Sequence, residues 1–138
     1  MPTKQAKPNA VSLIAENAAH AFKEHVIEQR SLHRDERGLY ATWRCGRPDS
    51  GTYAFLVTVY PGVLVVTGDV GDLIVERTTN MIAWCRGSVG SIDYFAEKVP
   101  HAIPTKKGAA WNPNFLWCRE CVKWFVERVD NDGNVVPE

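Results

Sequence analysis

Between Tyr53 and Arg77 the apolar residues fall into three short runs, broken by Pro61-Gly62 and by Gly68-Asp69-Val70-Gly71-Asp72. Runs of this length, rich in β-branched and aromatic residues and bounded by turn formers, read as strands, and gaps this short connect antiparallel neighbours only. Tyr53, Phe55, Val57 and Val59 alternate with Ala54, Leu56, Thr58 and Tyr60, so both faces are largely apolar and the strand belongs in the middle of a sheet. Pro61 presets its φ and Gly62 takes the positive φ of a type II turn; because tight hairpins favour the primed turn types, a bulge or widened loop is expected there. Leu39–Cys45 reads as the first strand, with Leu39, Ala41, Trp43 and Cys45 on one face and Tyr40, Thr42 and Arg44 on the other. Val63–Thr67 and Leu73–Arg77 complete a meander of about four strands, since short consecutive strands pair with their neighbours in sequence.

The flanks of the meander carry helical signals. From about Ala10 to Arg30, Val11, Ile14, Ala15, Ala18, Phe22 and Val26 recur at spacings of three and four, which predicts one long amphipathic helix after a loose segment at residues 1–8. Ser31–Gly38 reads as a charged connector. Thr79 is placed to cap a short helix ending at Arg86-Gly87, and Ser91 to cap another from Ile92 to Val99. Asn112-Pro113 is a strong helix start, followed by Phe115, Cys118, Val122, Phe125, Val126 and Val129 on one apolar face. Residues 131–138 are polar and turn-forming and read as a loose end. The expected fold is α+β: one domain over 1–138, an antiparallel meander packed against N- and C-terminal helices, with two short helices after the meander.

A chain of 138 residues is the usual size of one domain. Sixteen basic and sixteen acidic residues cancel, and the balance holds locally, at six and five over residues 1–38, three and four over 39–77, and seven and seven over 78–138. A phosphate-binding surface shows a basic excess, so nucleic acid is not the favoured partner. No apolar run approaches the ~20 residues of a membrane span, and the opening Met1-Pro2-Thr3-Lys4-Gln5 lacks a signal peptide's apolar segment. The expectation is a soluble cytoplasmic protein with no membrane partner.

Candidate chemistry is sparse. Cys118-Arg119-Glu120-Cys121 has the spacing of redox and zinc sites, but Cys118 falls in the second turn of a helix and on its apolar face, where cysteine packs as a small hydrophobe. Cys45 and Cys85 also lie on apolar faces, and no second ligand pair has finger-like spacing. Glu16, His20 and Glu24 stand four apart and would share one helical face, a pattern that suits a solvated surface as well as a metal. Asp69 and Asp72 are explained by turn formation, with aspartate bonding local backbone and glycine supplying positive φ. No catalytic residue, metal ligand or cofactor is assigned. Residues 100–112 form the longest irregular segment, where Lys106, Lys107 and Trp111 combine cations with an aromatic platform suited to a nucleotide or a protein surface. Tyr40 and Tyr60, with Thr42 and Thr58, are candidates for an exposed sheet face used in association.

Trp43-Arg44-Cys45, Tyr53-x-Phe55, Pro61-Gly62-Val63-Leu64 and Gly68-Asp69-Val70-Gly71 together resemble a family of small uncharacterised proteins encoded by bacteriophages and prophages. The similarity extends through Asp93-Tyr94-Phe95 and Glu97-Lys98-Val99. It implies phage origin and a shared fold rather than a shared reaction. The function expected from it is that of an accessory protein, a binder rather than an enzyme, that occupies a host protein or nucleoprotein and inhibits a host defence system, with a homodimer as one form. The alternatives are a small metal-binding protein or enzyme, or a nucleotide-binding protein using the 100–112 loop.

Overall fold

The computed structural model describes residues 2–99 and 111–137, with side chains from Ala10 onward. The chain opens with helix α1 (Pro2–Ala21) and continues through strands β1 (Val26–Asp35), β2 (Gly38–Gly46), β3 (Phe55–Tyr60), β4 (Val63–Gly68) and β5 (Leu73–Glu76). Helices α2 (Met81–Ser88), α3 (Ile92–Glu97) and α4 (Pro113–Val126) follow. The five strands form one antiparallel sheet in sequence order, so the fold is an α+β meander with five strands in place of four. β3 is its central strand.

The additional strand corrects the reading of residues 22–38. α1 stops at Ala21, and Val26–Asp35, expected as the end of a helix and a charged connector, pairs with β2 from Val26↔Gly46 to Asp35↔Gly38. No glycine or proline marks the break. Ladder hydrogen bonds to β2 outweigh the weak local preference of this charged segment, and β-branched Val26-Ile27 suits the strand. Asp35 then accepts a bond from the Arg37 N–H at 2.8 Å and Gly38 takes φ +139°, closing the hairpin. Glu24 lies beyond the end of α1, so it does not continue the face that holds Glu16 and His20.

Other boundaries shift for local reasons. β3 begins at Phe55 rather than Tyr53, because Tyr53 sits at φ +60° in the preceding turn. Tyr60 pairs directly with Val63, so Pro61-Gly62 closes a two-residue hairpin without the expected bulge, and Gly62 has the positive φ of +92°. The cap of α2 is Asn80, one residue after Thr79, accepting from the Ala83 N–H at 3.0 Å, and the helix runs past Gly87 to Ser88. At α4 the reading holds: the Asn112 side chain accepts from the Asn114 N–H at 2.8 Å and Pro113 opens the first turn.

One face of the sheet is buried. Trp43, Cys45, Phe55, Val57, Leu64, Val66, Leu73 and Val75 meet Phe115, Cys118, Val122 and Phe125 of α4, Met81, Ile82 and Cys85 of α2, and Phe22 beyond α1 in a single core. Neither end of the chain corresponds to the loose segments expected. α1 includes residues 2–8, and the C-terminal stretch forms a turn and a bridge, Val129↔Val135. That stretch is tied to β1 by Arg34, which donates to the Asp132 carbonyl, and to α2 by Asn80 and Arg86, whose side chains donate to Asn131.

Two glycines of the Gly68-Asp69-Val70-Gly71 turn serve different ends. Gly71 takes φ +132°, as the turn requires. At Gly68 the constraint is close approach, since a Cβ there would lie 2.5 Å from the Ala54 carbonyl oxygen and 2.7 Å from the Phe55 Cα. Gly68→Ala is therefore expected to destabilise the protein by about 1–3 kcal/mol, because backbone rather than a flexible side chain must move. Urea unfolding of the two proteins checks it, and an unchanged midpoint would contradict the packing at the β3–β4 end.

Candidate functional site

The face of the sheet opposite the core is the candidate site. Strand register sets its composition, because residues directly opposite on antiparallel neighbours share a face. Ser31 pairs with Thr42, Thr42 with Thr58, Thr58 with Val65 and Val65 with Ile74, so an uncharged row crosses all five strands. The Thr42 and Thr58 hydroxyls are 3.1 Å apart and hydrogen-bond each other. On one side of this row stand His33, Tyr40, Tyr60, Val63 and Glu76, and on the other Glu28, Arg44, Leu56 and Thr67. Tyr60 is 44% and Leu56 37% exposed, and none of these side chains joins the core.

Charge is confined to the margin of the face. The Arg44 guanidinium turns toward the β2–β3 loop, donating to the Arg47 carbonyl at 2.9 Å and the Ser50 carbonyl at 2.8 Å. Glu28, Glu76 and His33 complete the rim. An uncharged centre of threonine, tyrosine and aliphatic side chains inside a polar border is the anatomy of a protein contact surface.

The expected site residues separate. Tyr40 and Tyr60 both lie on this face, on adjacent strands, with the Tyr40 ring 5.8 Å from His33. Trp111 is on the helical side, half-buried, its ring 5.4 Å from Phe115. It is an anchor against the core, and the structure does not bring it together with the two tyrosines. Lys106 and Lys107, with most of the 100–112 loop, lie outside the described residues. Leu56, Val63, Val65 and Ile74 were not singled out from sequence, although their alternation with buried neighbours was visible.

The cysteines are buried. Burial pushes the Cys85 and Cys118 thiols up to about 12 and those of Cys45 and Cys121 upward as well, so the nucleophilic thiolate is suppressed. Among the described residues no group of three or more histidine, cysteine or carboxylate side chains is arranged to hold a metal ion. No helix among them is long and apolar enough to cross a membrane.

A chain of polar contacts joins the first strand to the Gly-Asp turn. The His25 imidazole bonds the Tyr53 carbonyl through Nε2 at 2.9 Å, and the Asp69 carboxylate accepts from the Tyr53 N–H at 2.8 Å. Tyr53 thus has both backbone groups held at a positive φ that is uncommon for a residue with a Cβ, and its ring stacks on Trp117 at 5.5 Å. Asp69 does bond backbone as a turn aspartate should, but sixteen residues away rather than within its own turn.

Burial holds His25 below its ordinary value of 6.5, outweighing the bond to Tyr53. A neutral imidazole in the fold and a more basic one in the unfolded chain make the unfolded state bind the proton first. Stability is therefore expected to be at its full value above the unfolded pKa and to fall as pH drops below about 6.5 toward the folded pKa. Urea titrations across that window test this, and the slope should flatten in His25→Phe; an equal slope in both would place the effect elsewhere. Native protein at neutral pH should also leave all four cysteines unalkylated until denaturant is added, which mass spectrometry would read.

Compared with protein-family models, curated proteins and solved structures, the chain matches none.

Proposed function

We propose that this chain is an accessory protein of a bacteriophage or prophage that binds a host protein through the open face of its sheet, in the host cytoplasm, and that such binding serves to inhibit a host defence system. The observation that carries the binding role is the uncharged row Ser31, Thr42, Thr58, Val65 and Ile74, flanked by exposed Leu56 and Tyr60 and lying away from the core. Burying that row against a partner removes apolar surface from water without stranding a charge. A protein surface fits it better than a phosphate backbone, because the rim carries Glu28 and Glu76 and its arginine is engaged with the nearby loop. The phage setting rests on the motif resemblance at Trp43-Arg44-Cys45, Pro61-Gly62-Val63-Leu64 and Gly68-Asp69-Val70-Gly71.

The reading is a binder rather than an enzyme. Asp69, the better placed of the two turn carboxylates, is engaged on the Tyr53 N–H, which gives it a structural task.

Leu56→Glu places a charge in the face without touching the core. It is expected to change stability by no more than about 0.5–1 kcal/mol, as surface substitutions do, while abolishing capture of the host protein retained by the wild-type chain. Affinity capture from host lysate, paired with thermal unfolding, makes the comparison. A partner held equally by the variant would overturn the role of the face. So would a wild-type dimer that Leu56→Glu splits into monomers, since a second copy would then occupy this surface.

A further inference from the structure

The turn that leads into β3 is fastened from outside itself. Tyr53 sits at φ +60°, its carbonyl bonded by His25 Nε2 at 2.9 Å and its N–H by the Asp69 carboxylate at 2.8 Å. A residue with a Cβ is strained at that φ and stays there only while its surroundings hold it. We propose that His25 is an acid-released latch: on taking a second proton its ring leaves its seat, lets go of the Tyr53 carbonyl and frees the Thr52–Ala54 turn, while the sheet and the core stay folded.

The seat suits only a neutral ring. Because the Tyr53 carbonyl can only accept, the proton of the neutral imidazole is on Nε2. The second proton, taken from solvent, goes to Nδ1, which is buried and has no hydrogen-bond partner among the described residues. The Phe22, Phe55 and Trp124 rings stand 5.0, 6.0 and 5.9 Å from the imidazole, so a new Nδ1–H meets aromatic rings in place of an acceptor. The burial of that charge outweighs the bond to Tyr53. The charges nearby supply no counter-ion. Arg44 of β2 and Arg47 of the loop after it repel an imidazolium. Glu120 of α4 shares a cleft with His25, but its oxygens face Lys123 at 3.7 Å and Arg119 at 3.9 Å, and Glu127 pairs with Arg128 at 3.3 Å. Asp69 is engaged on the Tyr53 N–H, and the exposed neighbours Lys23 and Glu24 carry opposite charges.

What yields is the surface side of the seat. Phe22 and Phe55 belong to the core and Trp124 packs against it. Gly51, Thr52 and Tyr53 are exposed, and residues 22–25 form the short connection between α1 and β1, so the charged ring reaches water by swinging out with that connection. The first half of the β2–β3 loop stays in place, because Arg44 donates to the Arg47 and Ser50 carbonyls. Release is therefore confined to Thr52–Ala54 and to the stacking of the Tyr53 ring on Trp117.

Hydrogen exchange of the full chain, followed by NMR between pH 7 and 5 and expressed as protection factors, tests the latch. The Tyr53 amide is expected to lose protection by roughly tenfold over this range, since the released ring takes its proton near 6.5, while the Val57 and Val59 amides of the central strand keep theirs. His25→Gln places an amide donor against the same carbonyl and takes no proton in this range, so Tyr53 should stay protected throughout. His25→Phe lacks the donor and should leave Tyr53 weakly protected at both ends of the range; it carries the test if His25→Gln fails to fold. The proposal is overturned by Tyr53 protection that is unchanged at pH 5, by a loss shared equally by Val57 and Val59, by a pH dependence that persists in His25→Gln, or by wild-type protection in His25→Phe.

Discussion

The Trp43 indole lies against the Phe125 ring at a centroid distance of 4.8 Å, fully buried, and the layers of the molecule are organised around that contact. It joins the middle of β2 to the end of α4 and thereby decides which face of the sheet is covered. Gly133 closes over the same indole, where a Cβ would come within 2.9 Å of Cζ2, so the C-terminal turn is held down by the same residue. Side chains alternate across a strand, so once Trp43 points inward the opposite row through Thr42 and Thr58 must point out. The open face and the core are two results of one register.

The second organising contact is the pair of bonds on Tyr53. His25 enters β1, Asp69 leaves β4, and both grip the backbone of a residue in the β2–β3 connection. The edge strand, the central hairpin and the Gly-Asp turn are thus linked away from the ladder.

Much of this was legible in local chemistry. The alternation Phe55, Val57, Val59 fixes the inner face of β3, the Pro61-Gly62 pair closes its hairpin, and Asn112-Pro113 starts α4, because each depends on backbone preferences that act within a few residues. Tyr40 and Tyr60 could be placed on the outer face for the same reason. β1 could not be found this way. Its residues carry alternating charges with little apolar pattern, and they become a strand only by pairing with β2. The role of His25 is hidden for a related reason: a helix continued through Arg30 would carry it away from Tyr53, whose carbonyl it bonds at the entry to β1.

Periodicity and turn chemistry therefore determine by themselves the meander, the terminal helices and the faces of β2 and β3, since these follow from φ preferences and from the pitch of each element. Tertiary structure decides the fifth strand, the role of Asp69 toward a residue sixteen positions away, and the bond of the His25 imidazole to the Tyr53 carbonyl. Those features depend on long-range pairing and on burial, whose free energy exists only once distant segments have come together.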